Sequence, residues 1–169
     1  MKTGSGINSP RDERVRVRAV DACHIADLIH LGQSVNLSPW SANSYLAELK
    51  NPDALMLRLV SDENRTVGFV VGRFVRIGDD RTDAEIYNIA VKESEQRTGK
   101  GQLLFDAFFE RCKDRRVDNI WLEVRESNEK AISFYKRNGF EPTQKRSHFY
   151  DNPREHAWVM RLTLETNEA

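Results

Sequence analysis

Between residues 84 and 140 the chain reads AEIYNIAV (84–91), QRTGKG (96–101), WLEVRESN (121–128) and AISFYKRNGF (131–140). Around these segments the hydrophobic periodicity predicts a strand (84–91), a glycine-rich turn, a helix (102–116), a second strand (118–124) and a second helix (128–138). The second strand carries a carboxylate, Glu123, and the last helix carries a phenol, Tyr135. The order predicts a surface for a long phosphorylated ligand, with a proton acceptor and a proton donor near its reactive end.

The flanking sequence supplies the other elements of an α/β fold. Alternating apolar residues predict five further strands, over 15–19, 54–61, 66–77, 143–150 and 156–164. Asp21 is the predicted N-cap of a helix that ends near Gly32, and Ser41 caps a short helix that ends at Leu49. The predicted order is β-α-α-β-β-β-α-β-α-β-β, a mixed central sheet with helices on both faces.

The composition is that of one ordinary globular domain. The chain has 169 residues, with 26 Lys and Arg against 26 Asp and Glu, so its formal net charge is zero. This balance provides no overall field that would draw the protein onto nucleic acid or a membrane. We expect a flexible leader over 1–12, a single domain over 13–164 and a short tail over 165–169.

The cysteines and the hydropathy pattern indicate a cytoplasmic protein. Cys23 and Cys112 are far apart in the sequence, and each lies in a helical pattern, which favours free thiols over a disulfide. No apolar run reaches the roughly 18 residues of a membrane-spanning helix, and the N-terminus lacks the apolar core of a signal peptide. The four histidines share no metal-ligand spacing, so no metal site is expected.

The turn at 96–101 suits a phosphate group. Its glycines let successive backbone N–H groups turn toward one point, and the N-terminus of the following helix adds partial positive charge. Arg97 and Lys100 provide further positive charge. The turn is not a P-loop, because Lys100 is followed by Gly101 and not by Ser or Thr. Many strand-to-helix turns contain glycine without binding a ligand, so an ordinary turn is the alternative interpretation.

Glu123 and Tyr135 each have a structural and a chemical interpretation. Glu123 faces the same side of its strand as Trp121, where it either pairs with Arg125 or another cation or acts as a general base. Tyr135 lies on the inward face of its helix, where it is either a core tyrosine with a satisfied hydroxyl or a proton donor. Asn128 is by default the N-cap of that helix.

Together these segments resemble the GCN5-related N-acetyltransferase (GNAT) superfamily. Q-R-x-G-x-G is typical of the superfamily, and three segments are similar to its RimI-type bacterial branch: N-I-A-V (88–91), W-L-E-V-R-x-S-N (121–128) and A-I-x-x-Y-x-x-x-G-F (131–140). The resemblance is dense over 84–140, weakens toward Met160 and includes a separate match at 39–41. It implies the GNAT mixed α/β sandwich.

The resemblance also implies acetyl-CoA as the co-substrate, and roles for individual residues. Three strand residues would bind the pantetheine arm through main-chain groups where two strands splay apart: Ile89, Ala90 and Val91. The turn residues would hold the pyrophosphate: Arg97, Thr98, Gly99, Lys100, Gly101 and Gln102. Asn128 would bond the pantetheine amide region. Glu123 matches the proton acceptor of the family, and Tyr135 matches its proton donor to the leaving thiolate.

The RimI branch acetylates the N-terminal amine of a small-subunit ribosomal protein, so the resemblance implies a protein N-terminus, an alanine, as the acceptor. Neither nucleic acid nor a membrane is expected as a partner. Two alternatives remain: acetylation of a small-molecule amine, and a CoA-binding module that has lost catalysis. The presence of both Glu123 and Tyr135 argues against the second alternative.

The chain departs from the RimI pattern near its C-terminus. The family often has two adjacent tyrosines where this chain has FY (149–150), and Arg-Glu-Asp where this chain has REH (154–156). The departures are therefore Phe149 and His156. We expect acceptor specificity to differ in this region, over 144–150 above all.

Overall fold

The computed structural model describes residues 14–164, and within them the predicted α/β fold is confirmed. The elements are β1 (Arg16–Ala19), α1 (Ile25–Ser34), α2 (Ala42–Leu49), β2 (Ala54–Val60), β3 (Thr66–Ile77), β4 (Arg81–Val91), α3 (Lys100–Asp114), β5 (Asn119–Arg125), α4 (Glu129–Arg137), β6 (Glu141–Asp151) and β7 (Arg154–Thr163). Short 3-10 turns precede α1 and α3. The predicted leader over 1–12 and tail over 165–169 lie outside the described residues.

The element order agrees with the prediction, and the boundaries shift by a few residues. Strand β4 begins at Arg81 and not at 84, because the polar residues 81–83 pair with the end of β3. The first helix begins only at Ile25, since Asp21 instead caps a 3-10 turn in which its backbone N–H donates to His24. The Ser41 cap is as predicted: its hydroxyl accepts a hydrogen bond from the Ser44 N–H at 3.0 Å.

The strands of the described part form one seven-stranded sheet in the order β1-β2-β3-β4-β5-β7-β6. Neighbouring strands are antiparallel except β4 and β5, which are parallel. The paired register between β4 and β5 covers Asp83 to Ile86 and Asn119 to Leu122. Both strands then continue, to Val91 and Arg125, without pairing with each other. The two strands therefore separate in the middle of the sheet.

A β-bulge lies in β4 where this separation begins. Gly72 of β3 is opposite Ile86, but Val71 is opposite Asn88, so Tyr87 is an extra residue. A bulge of this kind interrupts the alternation of side chains between the two faces of a sheet. Accordingly, Ile86 belongs to one hydrophobic core and Ala90 to the other.

Helices cover both faces of the sheet, as predicted, and each face has its own core. One core joins the sheet to α3 and α4 through Leu104, Phe108 and Tyr135. The other joins it to α1 and α2 through residues such as Leu28 and Tyr45. These two cores are named the α3/α4 core and the α1/α2 core, and β4 contributes residues to both.

We predict opposite stability effects for alanine at two glycines. At Gly72 an added Cβ would lie 2.4 Å from the Glu85 carbonyl oxygen and 2.6 Å from the Phe108 ring, so Gly72→Ala should lower the free energy of unfolding by about 1–3 kcal/mol. At Gly32, in α1, the nearest atoms belong to Leu37 at 3.7 Å, and Gly32→Ala should raise it by about 0.5–1 kcal/mol. Urea unfolding measures both, and equal effects would contradict the packing described for β3.

Candidate active site

A cleft of about 1610 Å³ opens where β4 and β5 separate. Its lining includes most of the residues that the sequence singled out: Ile89, Ala90, Val91, Arg97, Gly99, Gly101, Gln102, Glu123, Asn128 and Tyr135. Side chains from both faces of the sheet reach this cleft, because no strand fills the gap between β4 and β5. The gap therefore brings the glycine turn, the carboxylate and the phenol together.

The glycine turn presents the N-terminus of α3 to the cleft. Gly99 has a φ of +81°, a conformation that glycine adopts without strain. The Leu103 N–H makes the first helical bond to the Gly99 carbonyl, so the N–H groups of the preceding turn have no acceptor within the helix. At Gly101 an added Cβ would come no closer than 3.8 Å to protein atoms. Gln96 holds the turn against β4 by donating to the Val91 carbonyl at 3.0 Å.

Two side chains of the turn point away from the cleft. The Thr98 hydroxyl donates to the Glu95 carbonyl at 2.6 Å, and the Lys100 ammonium pairs with the Glu95 carboxylate. The Gln102 amide is likewise engaged, with Asn138 at 2.7 Å. Only the backbone of Thr98 and Lys100 is then available for the predicted phosphate contact, and Arg97 is the turn's cation in the cleft lining.

Glu123 pairs with a residue that the sequence did not indicate. Its carboxylate contacts the guanidinium of Arg146, from β6. The suggested partner, Arg125, instead bonds Glu155 at 3.3 Å. Trp121 shares the face of Glu123, and its indole N–H donates to the Asp83 carboxylate at 2.8 Å. The cation partner of Glu123 is thus Arg146, while the indole is held in place by β4.

Tyr135 packs in the core and also lines the cleft, so its place in the core is confirmed and its role as a proton donor stays a prediction. It is 6% exposed, and its ring lies 5.6 Å from those of Phe134 and Phe140. No described residue hydrogen-bonds its hydroxyl. Its oxygen is not one of the fully buried side-chain atoms that lack a hydrogen-bond partner, so it is accessible from the cleft. Burial, followed by the proximity of Tyr150, raises the pKa of Tyr135 well above its ordinary value. The phenol therefore stays protonated near neutral pH.

Asn128 begins α4, and its side-chain oxygen accepts a hydrogen bond from the Ala131 N–H at 3.1 Å. The N-cap interpretation is therefore confirmed. Asn128 also lines the cleft, and its predicted bond to the pantetheine amide region stays a prediction.

Three further cleft residues lie in segments that the sequence singled out but received no individual role. Tyr150 lies beneath the Arg125 guanidinium at 4.0 Å, and burial and then Glu123 raise its pKa. Asn88 is 4% exposed, and its side-chain nitrogen has no partner among the described residues. Arg146 lies on a strand that is exposed along nearly its whole length, so no alternation of buried residues indicated which way its side chain points.

Within residues 14–164, no group of three or more His, Cys, Asp or Glu side chains is arranged to hold a metal ion. Over the same residues, no helix combines the length and the apolar character needed to cross a bilayer.

The chain is similar to known acetyltransferases along most of its length. Residues 25–140 match the acetyltransferase (GNAT) family. The ribosomal protein bS18-alanine N-acetyltransferase of Haemophilus influenzae is 33% identical over 154 residues, which cover 88% of this chain and 98% of that protein. The crystal structure of the ribosomal-protein-S18-alanine N-acetyltransferase from Escherichia coli is 25% identical, with a TM-score of 0.78 and coverage of 92% and 99%. Ard1 from Thermoplasma volcanium is also 25% identical, with a TM-score of 0.80 and coverage of 90% and 99%.

We predict that the tyrosines of the folded protein ionise only above their ordinary range. Burial raises the pKa of all four from 10.0, to about 12 for Tyr45 and Tyr87. A pKa that is higher in the folded state stabilises the protein at pH values below the pKa of the unfolded state. This stabilisation is lost as the pH rises through the pKa of the folded state. The tyrosinate absorbance of the folded protein should therefore stay low at pH 10, whereas the tyrosines of urea-unfolded protein should titrate near pH 10. A tyrosine that titrates near 10 in folded protein would contradict the burial described.

Proposed function

Because the chain belongs to the GNAT family of acetyltransferases, we propose that it transfers the acetyl group of acetyl-CoA to the N-terminal α-amine of a protein. The proposed acceptor is ribosomal protein S18 with its N-terminal alanine, after the relatives from Haemophilus influenzae and Escherichia coli. The observation that carries the proposal is the single cleft shared by the α3 N-terminus, Glu123 and Tyr135.

The residues at one end of the cleft fit a diphosphate. The unpaired N–H groups of the first turn of α3 and the Arg97 side chain provide hydrogen bonds and positive charge. Gly101 leaves room beside them. When bound there, acetyl-CoA supplies the thioester, and its pantetheine arm would follow 89–91 toward Glu123, along the edge of β4 that does not pair with β5. A strand N–H of 89–91 would stabilise the developing oxyanion.

Glu123 is the proposed proton acceptor for the attacking amine. An α-amine has a pKa near 8, so that freeing it at pH 7 costs about 1–1.5 kcal/mol. A lysine side chain with a pKa near 10.4 would cost about 4.6 kcal/mol by the same arithmetic. One carboxylate, directly or through a water, is therefore an adequate base for an N-terminus and a poor one for lysine.

Tyr135 is the proposed proton donor to the departing thiolate. Its raised pKa keeps the phenol protonated across the working pH range, so that a hydrogen bond is always available to the sulfur as the C–S bond breaks. An acyl-enzyme on cysteine is not part of the proposal: Cys112 is fully buried, and burial raises the pKa of its thiol to about 12. Cys23 does not line the cleft.

The other end of the cleft suits a cationic acceptor. Segment 34–40 and β4 form its walls, and the Trp40 and Tyr87 rings lie 5.6 Å apart. Glu85 also lines the cleft, and its charge acts on the neighbouring Tyr87. Its carboxylate would attract an α-ammonium group and a basic N-terminal segment, although the net charge of the whole chain is zero. The Asp83 carboxylate is buried and accepts hydrogen bonds from Trp121 and Asn119.

We predict that Glu123→Gln and Tyr135→Phe each lower kcat by about 10²- to 10⁴-fold, because each removes one proton-transfer group. Calorimetry should show acetyl-CoA binding close to that of wild type in both variants. Glu126→Gln is the control, since Glu126 directly follows β5 but pairs with Lys145 at the surface. Full activity of either variant would remove its assigned role.

We also predict selectivity for α-amines. Acetyl-CoA incubated with a peptide that begins with the S18 N-terminus should give an N-terminally acetylated product by mass spectrometry. The same peptide with a blocked N-terminus and a free lysine should react at least about a hundredfold more slowly, as the difference in amine pKa requires. Faster acetylation of a small-molecule amine would favour the alternative substrate class, and binding of acetyl-CoA without turnover would indicate an inactive module.

A further inference from the structure

We propose that Arg146 is a positioning residue that occupies Glu123 until the α-ammonium group of the acceptor replaces it. By doing so, Arg146 suppresses hydrolysis of acetyl-CoA when no acceptor is bound. This inference rests on the proposed role of Glu123 as the base.

The contact spans two strands of the sheet. In the register, Glu123 of β5 is opposite Val159 of β7, and Arg146 of β6 is opposite Ala157. Arg146 thus crosses β7, about 10 Å from strand β6 to strand β5, to place its guanidinium on the carboxylate. The small side chain of Ala157 lies along this path. Both Arg146 and Glu123 line the cleft, so the contact occupies the space where an acceptor amine must arrive.

A bulge in β6 shapes the segment that carries Arg146. After the pair Arg146 and Ala157, the next pair is Tyr150 with Glu155, so three residues of β6 are opposite His156 alone. His148 has a φ of +54°, and its N–H donates to the His156 ring nitrogen Nδ1 at 3.0 Å. Bulges beside active sites re-aim nearby side chains in this way.

The bulge also gives the Arg146 guanidinium a second support, the Phe149 ring at 4.9 Å. Phe149 is 40% exposed and lines the cleft. A guanidinium that leaves the carboxylate can therefore remain stacked on an aromatic face. Phe149 and His156 are the two positions at which the sequence departs from the RimI pattern, and both belong to this arrangement.

The exposure of the pair makes it exchangeable. The Arg146 side chain is 49% exposed and that of Glu123 is 31% exposed, and ion pairs of this exposure are screened by solvent and weak. An acceptor α-amine arrives mainly as an ammonium ion, because its pKa is near 8. One cation then replaces another, so Glu123 keeps a positive partner throughout the exchange.

Without either cation, Glu123 would be free to activate water. The water oxygen would attack the thioester carbonyl carbon, and Glu123 would accept the proton of that water. The C–S bond would break to give acetate and CoA, with Tyr135 donating a proton to the thiolate and regaining one from solvent. Arg146 blocks this reaction because it holds the carboxylate that must accept the proton.

The test compares CoA release from acetyl-CoA alone by wild type, Arg146→Gln and Arg146→Lys in the full chain. Chromatography is the suitable assay, because the exposed Cys23 would react with a thiol reagent. Arg146→Gln should raise acceptor-independent CoA release by about tenfold or more, since it frees a general base. Arg146→Lys should restore most of the suppression. With peptide present, Arg146→Gln should lower the KM for the peptide and change kcat by no more than about threefold. In this variant the acceptor no longer has to displace Arg146 from a weak ion pair.

Lys145→Ala is the matched control. Lys145 is the adjacent cation on the opposite face of β6, where it pairs with Glu126 and lies over the Trp158 ring at 5.3 Å. The hydrolysis rate of Lys145→Ala should equal that of wild type, and all variants should share one Tm. Hydrolysis by Arg146→Gln at the wild-type rate would overturn the proposal.

The double variant Glu123→Gln/Arg146→Gln should lose the additional hydrolysis, and persistence of that hydrolysis would equally overturn the proposal. The comparison requires only acetyl-CoA and no acceptor. A failure of peptide acetylation by wild type would therefore count against the proposed function and leave the role of Arg146 to be judged on its own measurement.

Discussion

Parallel pairing between β4 and β5 stops after Ile86 and Leu122, and the functional part of the structure depends on this interruption. Backbone groups of a buried strand need partners, so the edge of β4 over 87–91 that β5 leaves unpaired offers backbone groups to the cleft. The bulge at Tyr87 lies at the same point. Across the bulge the inward side chains of β4 change from the α3/α4 core, at Ile86, to the α1/α2 core, at Ala90.

The same gap removes the usual separation between the faces of a sheet. Glu123 lies on the face of β5 opposite Leu122 and Val124, whereas Tyr135 packs with those two residues in the α3/α4 core. In a continuous sheet two such side chains would be on opposite sides of a layer of backbone. Here they line one cleft, so a carboxylate and a phenol with very different environments can serve the two ends of one reaction.

The sequence predicted the elements well and the contacts between exposed side chains poorly. The strands, the helices and the Ser41 and Asn128 caps follow local rules of periodicity and capping, and the structure confirms them. The partner of Glu123 could not be predicted, because Arg146 lies on an exposed strand and reaches its target only through register and a bulge. Likewise, the composition of the turn at 96–101 did not reveal that Glu95 takes up the Lys100 side chain.

The two cores on opposite faces of the sheet support different walls of the cleft. The α3/α4 core supports the glycine turn and Tyr135, at the proposed coenzyme site, while the α1/α2 core supports segment 34–40 and Tyr87, at the proposed acceptor site. Substitutions beneath α1 and α2 can therefore change the wall at the proposed acceptor site and leave the glycine turn unchanged. With such a separation, the proposed acceptor can change by substitution on one face of the sheet, while the acetyl donor stays the same.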